Sequence, residues 1–171
     1  MIELELTRTS GDRHLYELQG SGTLRLERSF SASAAAEAGD RSWQIARRPE
    51  RWRVARRGEL ILVIEATDPS GVVAGEFHGR AQVPGGTLRW GERHLELRKN
   101  SRWRPRFALV DGERELATVE GKGWGKRPVR LTIGDAASVE PGMLLLAAFA
   151  VGAITEDAQR NSAAAVRAGS A

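Results

Sequence analysis

Short stretches in which apolar and polar residues alternate recur along most of the chain, separated by Gly, Pro, Asp and Asn. Successive side chains of an extended strand point to opposite faces, so this pattern predicts many antiparallel strands, each with one buried face. The first is "IELELT" at 2–7, with Ile2, Leu4 and Leu6 on one face and Glu3 and Glu5 on the other. "LYELQ" and "TLRLE" follow, joined through "GSG". The Ser/Ala-rich "SFSASAAAEAGD" then breaks the alternation and reads as a surface loop with room for a helical turn. Strands resume with "SWQIAR" at 42–47, "RWRVARR" at 51–57, "ELILVIEAT" at 59–67 and "GVVAGEFHG" at 71–79. "GTLRW", "RHLELR", "RWRPRFALV", "RELATVE" and "VRLTI" bring the count to about twelve. "ELILVIEA" is the most continuous apolar stretch among them, which predicts a strand flanked by neighbours throughout. No strand alternates with a helical pattern, which argues against a parallel sheet.

The pattern changes near the carboxyl end. From Met143 to Ile154 no residue carries a polar side chain, and "TEDAQRN" follows directly. A membrane-spanning helix needs about 20 apolar residues, so this run is too short to span. A helix lying on a membrane surface would need a polar face, and this one has none. A helix that is apolar on every side must be surrounded on every side. Glu140 and Pro141 suit its start, and the small Ala147, Ala148, Ala150, Gly152 and Ala153 keep the cylinder thin. About twelve strands closing on themselves enclose a lumen too wide for side chains alone, since eight strands already approach that limit. A helix ~10 Å across fills it. The expected architecture is therefore all-β with one helix: a closed antiparallel barrel of about twelve strands around a buried hydrophobic C-terminal helix. It forms a single domain over 1–155, with the helix at 140–155 and an Ala-rich tail at 156–171.

A loose internal echo is also visible. Trp43, Arg51-Trp52-Arg53 and the Asp68–Gly71 turn are followed by Trp90, Arg102-Trp103-Arg104 and the Asp111-Gly112 turn, as two similar meander units would produce.

The hairpins "RWRVARRGELILVIEATDPSGVVAGEF" and "RWRPRFALVDGERELATVEG", followed by "PGMLLLAAFAVGAI", resemble the tubby-like barrel group. That group comprises tubby C-terminal domains, phospholipid scramblases and LURP-one-related proteins. The likeness is one of pattern, most evident over residues 40–155. It implies a closed barrel around a hydrophobic helix, and its best-known members bind phosphoinositides or act at membranes. No calcium segment, palmitoylated cysteine cluster or tubby lipid-binding residue has a counterpart in this chain.

Composition narrows the chemistry. The 171 residues suffice for one domain with a sizeable core. Of the 26 basic residues only Lys99, Lys122 and Lys126 are lysines, the habit of a GC-rich bacterial genome. The net charge of +4 permits an anionic partner without requiring one. Cysteine is absent, which excludes disulfides, zinc–thiolate sites and thiol catalysis. The amino terminus alternates charge with apolar residues instead of placing a basic segment before an apolar one, so a cytoplasmic location is expected.

His14, His78 and His94 are widely separated in sequence and read as strand-surface residues, so no metal is expected. No cofactor is implied either. "GKGWGKRP" at 121–128 has the glycines of an anion-contacting loop, but lacks the G-K-[ST] and the following helix of a nucleotide loop. The tryptophans of "RRPERWRVARR" and "NSRWRPR" are expected in the core, with their arginines in water. No nucleophile–base–acid set is recognisable, which points away from an enzyme. The expectation is a non-catalytic binding or scaffold protein docking an anionic phospholipid headgroup through Lys122, Lys126, Arg127 and Arg130. Single-stranded nucleic acid and an unknown protein partner stand as alternatives.

Overall fold

A computed structural model describes residues 1–27, 32–48, 61–80, 83–121, 124, 129–134 and 138–168. Twelve antiparallel strands run β1 (Ile2–Arg8), β2 (Leu15–Leu18), β3 (Gly22–Leu26), β4 (Ser33–Ala38), β5 (Arg41–Arg47) and β6 (Ile61–Thr67). They continue as β7 (Val73–Arg80), β8 (Val83–Trp90), β9 (Arg93–Lys99), β10 (Arg106–Asp111), β11 (Arg114–Glu120) and β12 (Val129–Ile133), followed by helix α1 (Pro141–Ala168). Each strand pairs with its neighbour in sequence, and β1 pairs with β12, so the sheet closes into a barrel. Closure rests on five register pairs, from Ile2 opposite Ile133 to Leu6 opposite Val129. Left-handed glycines at Gly39, Gly91 and Gly112, with φ of 61°, 56° and 61°, allow three of the tight turns.

The alternation in the sequence becomes the two faces of the wall. Leu6, Leu18, Leu24, Ile45, Ile64, Phe77, Leu88, Leu97 and Leu109 point inward and are buried, while charged residues alternate with them outside. Inside lies α1, and every residue from Gly142 to Ala153 is buried. The helix contacts β3, β4, β5, β7, β8 and β11, strands distributed around the ring, so it is enclosed rather than laid against one side. By length and composition its Pro141–Ala164 portion passes as a membrane span, yet 67% of the apolar window is buried inside the chain's own wall.

Close fit sets the residue sizes. A side chain at Gly142 would meet Trp90 and Trp43, whose rings sit edge to face with centroids 5.5 Å apart. A side chain at Gly152 would collide with the Trp124 indole, which also packs on Phe149 and Tyr16. These glycines are notches that let indoles approach the helix axis.

Several sequence expectations are corrected. The Ser/Ala-rich stretch is not a loop throughout: Ser33–Ala38 is β4, with Ala34 and Ala36 buried toward the helix. Alanine is a poor strand former, but here small inward side chains leave room for the rod. Residues 51–57 lie outside the described residues, and β5 pairs directly with β6. The helix does not stop near 155 but continues to Ala168. Charge after Ile154 ends burial, not helicity, because a helix already nucleated propagates through alanine readily. Arg47 secures the exit, donating to Ala153 O at 3.3 Å and to Asp157 at 3.1 Å. Trp43 is the third residue of β5 whereas Trp90 ends β8, so the two tryptophans of the sequence echo stand at different strand positions, and residues 51–53 of the echo lie outside the described residues. "ELILVIEA" behaves as expected, with Leu62 to Ala66 all buried.

Truncating the largest side chain of the rod should be severe. Phe149→Ala is expected to lower the unfolding free energy by about 3–5 kcal/mol, and Gly152→Val by about 1–3 kcal/mol through overpacking against Trp124. Urea denaturation followed by circular dichroism measures both; a change within error for either would show the lumen to be loosely filled.

Candidate functional site

Antiparallel closure sends successive connections to alternate ends of the barrel. One end carries the short turns 19–21, 39–40, 68–72, 91–92 and 112–113 together with 134–140, which leads into α1. The other carries 9–14, 27–32, 48–60, 81–82, 100–105 and 121–128, and α1 leaves the barrel there. By sequence, the connections at this loop end contain twelve Arg and Lys residues against four Asp and Glu. Those at the turn end contain six Asp and Glu and no Arg or Lys. The connections that join the strands at the two ends thus differ in the sign of their charge by sequence, while Arg41, Arg93 and Arg114 open strands at the turn end.

Loop 100–105 is a fully described part of the basic end. The Asn100 N–H donates to Arg106 O at 3.1 Å, the Arg106 N–H to Arg104 O at 2.8 Å, and the Gly121 N–H to Pro105 O at 3.1 Å. Ser101 Oγ accepts from the Arg104 N–H at 3.1 Å. Held by these bonds, Trp103 is nevertheless 95% exposed, between the exposed Arg102 and Arg104. The expectation of a core tryptophan is therefore corrected at this position. Pro105, which interrupts strand pairing before β10, carries the reason. Trp52 lies outside the described residues.

The Gly121–Pro105 bond joins this loop to the start of connection 121–128. Lys122, Lys126 and Arg127 lie outside the described residues, but Trp124 between them is seated on the helix at Gly152. Its buried Nε1 has no acceptor in the structure. Arg130, the second residue of β12, faces outward and pairs with Glu5 at 3.2 Å. Register places Glu5 on one side of it and Glu120 on the other, and Glu120 in turn faces Arg106. Arg130 thus belongs to an alternating row of charge across four strands near the loop end.

A second cluster lies on the outer wall. Glu76, His78, Thr87, Arg89, His94 and Glu96, from β7, β8 and β9, line a groove of about 440 Å³. Register brings Glu65, Glu76, Arg89 and His94 into one row and His78, Thr87 and Glu96 into the next. The two histidines, 16 positions apart in sequence, share this groove. Sequence spacing could not reveal that, because the pairing depends on hairpin register. Glu76 accepts from Arg89 at 3.3 Å and lies 2.7 Å from His78. Beside it, the buried Glu65 pairs with Arg48 at 2.8 Å. Burial pushes the Glu76 carboxyl up, but the His78 and Arg89 contacts outweigh it and hold the group below the usual glutamate range. Among the described residues no three His, Asp or Glu converge as a metal centre.

Comparison of the chain with models of known families, with curated proteins and with solved structures found no match.

Because the folded state holds Glu76 below its ordinary value, the unfolded chain binds more protons in acid. The contribution of Glu76 is therefore complete above about pH 4.5 and is lost as pH falls through the folded value. Glu76→Gln is expected to lower stability at neutral pH by about 1 kcal/mol. Thermal melts across pH should show the difference from wild type closing below the carboxylate range; a constant difference would remove the charge-based account.

Proposed function

We propose that the protein is a non-catalytic, cytoplasmic docking protein whose loop end meets an anionic phospholipid surface. The observation that carries this reading is the charge of the connections by sequence: twelve Arg and Lys in those of the loop end and none in those of the turn end. Each Lys or Arg held near an anionic leaflet contributes about 1 kcal/mol, so several acting together make a membrane contact without any deep pocket. Lys122, Lys126 and Arg127, in the connection that contains Trp124, are the proposed headgroup contacts, with Arg130 following them in sequence as the second residue of β12. The resemblance to the tubby-like barrel group supports the same choice of ligand. The non-catalytic part of the proposal draws on the outer groove, where Glu76, Arg89, Glu96 and Arg98 engage one another in ion pairs.

Single-stranded nucleic acid is the second reading, favoured by the exposure of Trp103. Such proteins stack successive bases on several rings along a groove. Trp43 and Trp90 are enclosed and Trp124 is packed on the helix, so among the described residues only one tryptophan is available.

Co-sedimentation with phosphatidylcholine vesicles, with and without phosphatidylserine, tests the proposal. Retention is expected only with the acidic lipid, falling as salt shortens the screening length to a few ångströms. Equal recovery from both vesicle types at low salt would overturn it, and salt-sensitive retardation of single-stranded DNA in its place would favour the second reading.

A further inference from the structure

The placement of large apolar side chains left in solvent is informative. Among the described residues these are Met1, Ile2, Val72 and Trp103. The first three belong to the turn end, where the connections are acidic. Trp103 alone sits at the basic end, and it is the one aromatic of the four. The chain has ample means of enclosing indoles: Trp43 and Trp90 are taken into the lumen and Trp124 is seated at its mouth. At 103 it does the reverse, presenting the ring on a loop fixed by four hydrogen bonds that involve Asn100, Ser101, Arg104, Pro105, Arg106 and Gly121. Arg104 is further oriented by Glu120, 3.9 Å away.

An indole combines an apolar body with one polar N–H, the composition that settles at the boundary between headgroups and acyl chains. Guanidinium groups immediately before and after it match phosphate geometry and remain in the headgroup layer. A loop already ordered loses little further freedom on insertion. We infer that Trp103 is a membrane-interface anchor, inserted beneath the headgroups while Arg102 and Arg104 hold lipid phosphates, so that the protein recognises an acidic bilayer surface and not a soluble headgroup. This rests on the docking reading above and specifies its ligand.

The test uses the full chain, wild type and Trp103→Ala, with phosphatidylcholine–phosphatidylserine vesicles whose acyl chains are brominated. Because the ring touches solvent almost everywhere, the variant is expected to keep the wild-type melting temperature. Wild-type fluorescence should be quenched by the brominated chains, and glycerophosphoserine should not displace the protein. Trp103→Ala should lose much of the quenching and on the order of tenfold in vesicle affinity, the effect of withdrawing roughly half an indole from contact with lipid. If the variant binds and is quenched like wild type, or if glycerophosphoserine displaces the protein, the anchor is overturned while lipid docking stands. If wild type fails to bind acidic vesicles, the docking reading falls and the anchor with it.

Discussion

A helix with no polar face, inside a ring of strands that cannot fill their own lumen, is the constraint on which the rest of this structure depends. Each part buries the apolar surface of the other. The wall supplies inward Leu, Ile and Phe, and the rod supplies Leu144, Leu145, Leu146 and Phe149 between small residues. Where bulky indoles point in, the rod has glycine, and β4, which contacts the rod, buries alanines on its inner face. Interiors at crystal-like density tolerate neither a void nor an extra methylene without cost, and this reciprocal sizing satisfies both limits. Closure also removes every free sheet edge, the feature that most exposes β proteins to mispairing.

Much of the architecture was legible in the sequence because two periodicities are cleanly written. Alternation in "IELELT" or "RHLELR" can be satisfied only by a strand with one wet face, and a run without polar residues only by enclosure. Legibility failed where a residue was chosen for what it faces and not for its own propensity. Ala34 and Ala36 lie in a strand because the helix passes close to them. The tail after Ile154 remains helical because the buried turns before it have already overcome nucleation. The "SRWRPR" segment has strand-like composition, but Pro105 lacks the N–H needed to extend pairing, and the ring at 103 falls outside the wall.

The functional residues were legible only in part, and for a different reason. Charge can be counted along a chain, but its sorting between the two barrel ends emerges only when strand order and direction are known. Arg130 illustrates the gap. As a residue type it suits an anion site; in register it stands between Glu5 and Glu120 and contributes to the cross-strand charge row. His78 and His94 illustrate the converse, since residues with no common motif become neighbours through hairpin geometry.

Connections of opposite sign at opposite ends contribute a component of electric dipole along the barrel axis. A neighbouring charged body therefore exerts a torque on it before any contact forms, within a range of about 8 Å at physiological ionic strength. Whatever the sign of that body, the molecule arrives already turned, so the polarity selects a pole as well as a strength of attraction.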